Sequence, residues 1–516
     1  MAKIKNNQNF ETRSPIVVIL GHVDHGKTTL LDTIRKTNVK AAEGEPRSIV
    51  ERESGGITQH IGAYRVEYNG KLITFIDTPG HEAFFQMRSR GAKTADIAIL
   101  VVAGEEGVKP QTKEVINCIK VEKIPAIVAV NKMDNPRANF EKTIGELEKE
   151  GLVVEQRGGK VPAIKISARD GMGINDLLEM IILMAEMEEL KADITKQASG
   201  VVIESYMDPK RGAVATFLVL EGILKAGQWV ACGSAYGKIK SLNDFKGIKI
   251  EEAGPSTPTM VTGLNEVPAV GSKFSVFSSE EEARGVALSF STAKQEQTKF
   301  VEDLPAEGLS QEQKTLNVIL KTDVHGSLEA IEESLSKLEL EEVRLNILKS
   351  GAGDINEGDV KLAYPADAII IGFRVKTSSD IENMAKRSGV KIRNYDIIYE
   401  LFEGVKKDAA KLLDPSIERE NLGKLKVVAI FRREKTRMII GGKVIDGKFV
   451  NKTQVDITRN EEKVGTGKIV QLQHNKKDMA EVEKGREAGI LFEGDAIIEE
   501  GDVLDCYRTE RKKREL

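Results

Sequence analysis

Between Ile16 and about Leu190, short apolar runs alternate with segments in which apolar residues recur every three or four positions. The runs PIVVIL, KLITFID, IAILVVA, IPAIVAVN and VPAIKIS are apolar and β-branched throughout, which predicts strands buried on both faces of a parallel sheet. Helices fit between them over Lys27–Arg35, Thr112–Val121 and Asn175–Glu189. The expectation is a doubly wound α/β domain.

After the polar stretch KADITKQASG the texture changes. Short runs (GVVIESYM, AVATFLVLEG, QWVACG, YGKIKSL, VTGL, KFSVF), punctuated by Gly and Pro, predict a small antiparallel β-barrel. A polar, helix-favouring linker is expected over roughly Glu280–Glu312. Alternation then returns: TLNVILK, VRLNILK, ADAIIIGF and VKIRNY are separated by helical patterns over Ser327–Leu338, Glu357–Leu362 and Ser379–Lys386, predicting a small parallel α/β/α domain. Ile397–Leu413 keeps apolar residues on one helical face for about five turns and stops at Asp414-Pro415. A last β-rich segment (KVVAIF, QVDIT, KIVQLQ, GILF) places a hairpin turn at Asp446-Gly447 and reads as a second barrel. The expected divisions are a polar tail (1–13), an α/β domain (14–192), a β-barrel (196–290), a linker (291–313), a small α/β domain (314–396), a connecting helix with linker (397–421), a C-terminal β-barrel (422–508) and a charged, frayed tail (509–516).

Composition narrows the class. The chain has 516 residues, too many for one core, and is 40% hydrophobic and 30% charged, values of a globular chain rather than a disordered one. Lys+Arg is 76 against Asp+Glu 80, a formal net charge of −4, so any RNA contact must come from local patches such as Arg432-Arg433 with Lys435, or Lys476-Lys477. Cys118, Cys232 and Cys506 lie far apart, which argues against a disulfide framework or a zinc site and predicts small buried apolar residues. No run is long enough to span a membrane and the N-terminus has no presequence character, so a cytoplasmic protein without a membrane partner is expected.

The chemistry is concentrated in the first domain. GHVDHGKT, comprising Gly21, His22, Val23, Asp24, His25, Gly26, Lys27 and Thr28, fits G-x-x-x-x-G-K-[ST] between a strand and a helix. Glycines let backbone N–H groups curl round a phosphate, and the helix start adds positive potential. Lys27 is expected to bridge β- and γ-phosphate oxygens, and Thr28 to ligate Mg²⁺. In DTPGH, Asp77 is expected to hold Mg²⁺ through water, Gly80 to sense the γ-phosphate and His81 to orient the attacking water. Thr58 of GGIT would complete the metal shell. In NKMD, the Asp134 carboxylate can accept from guanine N1–H and the 2-amino group, which adenine cannot offer; Asn131 supports the other edge and the Lys132 stem covers the ring. Ser167 and Ala168 of SAR follow another strand, where the Ala168 N–H can donate to guanine O6. His22 and His25 have a metal-like spacing, but a second cation inside a phosphate loop is not expected. The inventory predicts GTP hydrolysis without a covalent nucleophile. No arginine stands out as a finger in cis, so hydrolysis should be slow until a partner aligns His81.

These motifs resemble those of the translational GTPases, in which the histidine after the DTPG glycine is catalytic. By that resemblance Asp24 helps hold a monovalent cation (K⁺ or Na⁺), and Val23 with Ile57 forms an apolar gate beside His81. AGPSTP with VTGLNEVPAVG, LKTDVHGSLEAI, AIIIGFRV and IRNYDIIYEL narrow the resemblance to the bacterial family of translation initiation factor two, from about Pro15 to Tyr507. The resemblance implies GTP and GDP as ligands, with formylmethionyl initiator tRNA, both ribosomal subunits and other initiation factors as partners, and a monomer off the ribosome. It also implies that Lys476, Glu487 and Gly489 contribute to initiator-tRNA binding. Gly442 and Ala488 stand where the family usually has cysteine, and Gln473-His474 where it has Lys-Arg, so an altered pocket lining is expected. The long N-terminal extension common in the family is nearly absent from this sequence. Two other readings are a GTP-gated scaffold binding only protein and an elongation or selenocysteine-type factor. The small α/β domain followed by a long helix argues against the latter, and His25 favours the bacterial over the archaeal and eukaryotic type.

Overall fold

A computed structural model describes residues 10–38, 62–79, 84–290, 314–338, 343–413, 416–434, 436–460 and 462–512. The chain divides into two compact units, Met1–Val405 and Lys406–Leu516.

The first unit opens with β1 (Phe10–Thr12), β2 (Ile16–Gly21), α1 (Lys27–Asn38), β3 (Gly62–Tyr68), β4 (Lys71–Asp77), α2 (Phe85–Thr94), β5 (Ile97–Ala103), α3 (Pro110–Glu122), β6 (Ala126–Asn131), α4 (Phe140–Lys149), β7 (Ala163–Lys165), α5 (Ile174–Met187) and β8 (Lys191–Asp193). Six strands form one sheet in the order β3-β4-β2-β5-β6-β7. All pairings are parallel except β3 with β4. Strands β2, β5 and β6 are buried at every position, as their uninterrupted apolar runs require. Helix α2 closes on the sheet at Gly91, where a Cβ would come within 3.0 Å of Thr78 Cγ2 and 3.2 Å of Val18 Cγ2. Phe10–Thr12, assigned from sequence to the polar tail, pairs instead with Lys191–Asp193 through a partner more than 170 residues away.

The second domain closes into a six-stranded barrel: Trp229–Cys232, Lys273–Phe277, Ser199–Asp208, Gly212–Glu221, Pro258–Leu264 and Ala235–Asn243, the last pairing back to the first. A two-residue strand, Lys249–Ile250, pairs outside this ring with Leu242 and Asn243. Its core includes Phe217 stacked on Phe274, centroids 4.2 Å apart. It docks on the nucleotide domain through polar contacts. Arg13 donates to both Asp96 oxygens at 2.6 and 2.7 Å and to Ser256 Oγ at 3.2 Å. Ser256, buried with φ +59°, donates to the Ser14 carbonyl at 2.6 Å. A helix over 280–290 occupies the start of the expected linker; residues 291–313 lie outside the described residues.

The small domain is a parallel sheet in the order Val343–Ala352, Lys314–Thr322, Ile369–Phe373, Ile392–Tyr395, flanked by helices His325–Ser336, Glu357–Ala363 and Ser379–Ser388. Arg90 of α2 pairs with Glu329 on its first helix. The connecting helix is shorter than expected, Ile398–Ala410.

The second unit is a closed barrel of six strands: Ser416–Arg433, Val503–Lys512, Gln454–Arg459, Glu462–His474, Glu487–Glu493 and Arg437–Val450, which returns to the first. Three sequence expectations differ here. Asp446-Gly447 is not a hairpin turn: it lies inside Arg437–Val450 opposite Gly423 and Lys424, and the pairing shifts register beside it, so the Gly447 φ of +60° serves a bulge. Residues 509–512 are not frayed but pair with Ser416–Arg419, and 416–421, read as linker, belongs to that strand.

Candidate functional site

Strand β2 ends at Gly21, whose Cβ would stand 2.4 Å from the Val101 carbonyl oxygen of β5. One 3-10 turn, Val23–His25, leads to Gly26 at φ +87°, and α1 starts at Lys27. A Cβ on Gly26 would lie 2.4 Å from Asn131 Nδ2, so only glycine fits between the phosphate loop and β6. Lys27 is buried and its ammonium donates to the His22 carbonyl at 2.6 Å. Burial pulls its pKa down to about 8; Asp77 and Asp24 oppose the shift and the Arg88 guanidinium reinforces it. A cation this poorly solvated gains from an anion, and the phosphates of a nucleotide would supply one.

His25 is fully buried, and burial first, with His22 second, drops its pKa to about 3, so the imidazole is neutral. The two rings meet edge to face with centroids 4.9 Å apart. Among the described residues no group of three His, Cys, Asp or Glu is placed to hold a metal.

Asp77 ends β4, in register with Ile19 of β2, and is buried. Thr28 stands in the first turn of α1. Together they offer the hard oxygen donors that Mg²⁺ prefers, and Lys27 immediately precedes Thr28 in the chain. Thr78 Oγ1 donates to the Ile19 carbonyl at 2.9 Å, and the buried Arg88 reaches the Pro79 carbonyl at 3.4 Å and Glu114 at 3.1 Å. Ile57, Thr58, Gly80 and His81, all assigned roles from sequence, lie outside the described residues.

At the other end of the same sheet edge, Asn131 ties three segments together. Its Nδ2 donates to the His25 carbonyl at 2.9 Å, and its Oδ1 accepts from the Ala168 N–H at 2.9 Å. The Ala168 N–H, expected to meet guanine O6, is thus engaged with Asn131. Asp134 accepts from Ser167 Oγ at 2.7 Å and pairs with Arg169 at 3.0 Å. The Ser167 hydroxyl is the main reason that its carboxyl sits below the usual range, so Asp134 is ionised at neutral pH. Lys132 adopts φ +61° and its ammonium donates to Glu105 at 2.9 Å. Sequence reasoning missed Glu105, Glu106, Arg88 and Glu114. A signal for the first two existed: GEEG directly follows strand IAILVVA, at the strand end where such sheets bind ligands.

In the second unit, Lys476 occupies a turn at φ +63° directly after strand Glu462–His474. His474 Nδ1 is 2.6 Å from the Glu487 carbonyl oxygen, and Gly489 lies in register with both Gln473 and Gly441. The three residues assigned to tRNA therefore share one rim of the barrel with Gln473, His474, Gly442 and Ala488.

Comparison with known proteins agrees with this geometry. Residues 12–187 match the family model of the elongation factor Tu GTP-binding domain, 197–277 that of elongation factor G domain 2, and 291–406 that of translation-initiation factor 2. Translation initiation factor IF-2 of Kosmotoga olearia is 44% identical over 99% of this chain and 73% of its own length. The proteins of the same name from Carboxydothermus hydrogenoformans and Dehalococcoides mccartyi are also 44% identical, over 99% and 98% of this chain and 61% and 84% of their own lengths. No helix among the described residues is long and apolar enough to cross a membrane. Identity at this level over nearly the whole chain, on a sheet edge carrying the ordered nucleotide motifs, makes the protein a GTPase, and the chain belongs to the translation initiation factor IF-2 family.

Proposed function

We propose that this protein is a GTP-dependent initiation factor that binds formylmethionyl initiator tRNA, promotes its placement on the small ribosomal subunit and subunit joining, and hydrolyses GTP on the ribosome. The observation that carries the reading is the extent of the match: relatives named for initiation align over 98 to 99% of the chain, last barrel included. A nucleotide-binding domain alone would support only a GTPase.

In this reading the amides of Gly21–Thr28 and Gly80 would cradle the phosphates, Lys27 would bridge them, and Thr28, Thr58 and Asp77 would hold Mg²⁺. The metal supplies charge neutralisation at the β- and γ-phosphates. His81 would orient the attacking water, and the exposed Asp24 would help hold K⁺ or Na⁺. Asp134 reads the guanine face, with the Lys132 stem over the ring. Ser167 and Asn131 hold the base loops in shape, consistent with their contacts above. Arg88 is committed to Pro79 and Glu114, which fits slow hydrolysis in the absence of the ribosome. Lys476, Glu487 and Gly489 form part of the aminoacyl end's seat, with Gln473, His474, Gly442 and Ala488 altering its lining.

The test is equilibrium binding of formylated and unformylated initiator tRNA to the full chain. Preferential binding of the formylated form is expected. Equal binding of both, or of neither, refutes the tRNA part of the proposal and leaves the GTPase untouched.

A further inference from the structure

The loop Gly104–Gly107, which follows β5, is stitched to the base-reading segment along both sides. The Gly104 N–H donates to the Asn131 carbonyl at 2.8 Å, and the Gly104 carbonyl accepts from the Asn139 N–H at 2.9 Å. A Cβ at Gly104 would already crowd Met133 Sδ at 3.0 Å and Ala138 Cβ at 3.2 Å. The far end is pinned too: Gly107 takes φ +72°, and the Val108 N–H donates to Glu146 at 2.9 Å. A loop fixed at both ends can aim a side chain.

The side chain it aims is Glu105. One Glu105 oxygen accepts from Lys132 Nζ at 2.9 Å, and the other accepts from Asn135 Nδ2. Those donors flank Met133-Asp134, so one carboxylate grips the base loop on either side of the residue that reads guanine. Asn135 in turn caps the following turn, accepting from the Arg137 N–H at 3.0 Å. Lys132 needs a grip, because its left-handed backbone (φ +61°) is unfavourable for a residue with a Cβ. The contact is partly desolvated, with the Lys132 and Glu105 side chains 31% and 21% exposed, which distinguishes it from a freely hydrated surface pair. Burial alone would lower the Lys132 pKa, yet Glu105 and Glu106 together hold it above its ordinary value. Glu106 lies 3.5 Å from the same ammonium and 3.3 Å from Lys109.

We propose that Glu105 is a positioning residue for guanine nucleotides: by holding Lys132 and Asn135 it fixes the loop that presents Asp134, and thereby sets how fast a bound nucleotide leaves. The proposal rests on the reading of Asp134 as the guanine-selecting residue. It concerns the base end of the site, so GDP and GTP are affected alike.

Dissociation of fluorescently labelled GDP and GTP from the full chain with Mg²⁺, chased with unlabelled nucleotide in a stopped-flow instrument, tests it. Losing a charge-assisted hydrogen-bond pair predicts that Glu105→Gln speeds both dissociations by the same factor, about ten- to a hundredfold. In a Lys132→Met, Asn135→Ala background Glu105→Gln should add less than about twofold, because the groups through which it acts are gone. Rates within about twofold of the parent for the single variant overturn the proposal. So does an undiminished effect of Glu105→Gln in the double background, which would mark a structural role elsewhere. Glu105→Gln keeps the side chain's shape, and superimposable melting curves of the nucleotide-free proteins separate positioning from unfolding. Asp134→Asn separates the two layers of the argument. If it fails to move preference from guanine to xanthine nucleotides, the base-site reading itself falls; if it succeeds while Glu105→Gln is silent, only this proposal does.

Discussion

Replacing Asn131 with alanine should damage nucleotide binding more than any loss of direct contact with the base would suggest. The side chain is buried, and it satisfies two main-chain groups at once, the His25 carbonyl and the Ala168 N–H, both at 2.9 Å. Truncation strands both groups. Each buried, unpaired backbone group costs about 1–3 kcal/mol. Water entering the vacated space recovers part of this, so about 2–5 kcal/mol is expected in total. Those two groups belong to the phosphate loop and the SAR segment, which the Asn131 side chain bridges. The loss should therefore appear mainly as nucleotide affinity, about 30-fold to a few thousandfold at about 1.4 kcal/mol per tenfold. Titration with fluorescent GDP reads it directly. Gly26→Ala should have a similar effect from the opposite side, since its Cβ would collide with Asn131 Nδ2 at 2.4 Å. The double variant should fall short of the product of the singles, because the atom Gly26→Ala strikes is absent. An affinity for GDP within about threefold of the parent in Asn131→Ala would refute the reasoning, since two buried orphans cannot be that cheap.

Three further outcomes follow from the same structure. Asp456 in the last barrel is buried, which alone would raise its pKa, but Arg419 and Lys463 outweigh burial and hold the carboxyl below its ordinary value. A depressed folded-state pKa gives stability that is present above the unfolded carboxylate value and is lost as pH falls through the folded one. Urea denaturation of the full chain, followed by a probe in this barrel, should therefore show an acid-side loss below about pH 4 that Asp456→Asn flattens, with a penalty of about 1–3 kcal/mol at neutral pH. Phe217→Ala removes one half of the stacked Phe217–Phe274 pair in the second domain and should cost about 3–5 kcal/mol, read as faster hydrogen exchange confined to that barrel. Glu329→Ala breaks a half-exposed pair with Arg90 and should change stability by less than about 1 kcal/mol.

The parallel strands were legible because burial on both faces leaves no polar position, as in IAILVVA. GHVDHGKT and NKMD stood out because they close the uninterrupted apolar runs of β2 and β6. Strand β3 was missed, since it is an edge strand whose burial alternates, although the Asn69-Gly70 turn that joins it to β4 is a recognisable hairpin signal. Helix α4 carries a readable N-cap in Asn139, which accepts from the Lys142 N–H at 3.0 Å. Helix α2 is less readable: its polar sequence is kept on the sheet by Gly91, a requirement visible only once Val18 and Thr78 are in place. Asp446-Gly447 shows the converse failure, a turn signal overridden by pairing with Gly423 and Lys424. The tail was misread for the same reason, because residues 509–512 are ordered by a partner strand nearly a hundred residues earlier. Glu105 lies 27 positions from Lys132, and no local pattern joins them.

The most direct measurement is single-turnover hydrolysis of γ-labelled GTP by the full chain with Mg²⁺, first alone, then with small subunits carrying formylmethionyl initiator tRNA, then on adding large subunits. The account predicts slow release of phosphate until the large subunit joins, a burst at that point, and no burst with ATP. Phosphate release that is indifferent to ribosomes, or equally fast from ATP, would contradict it.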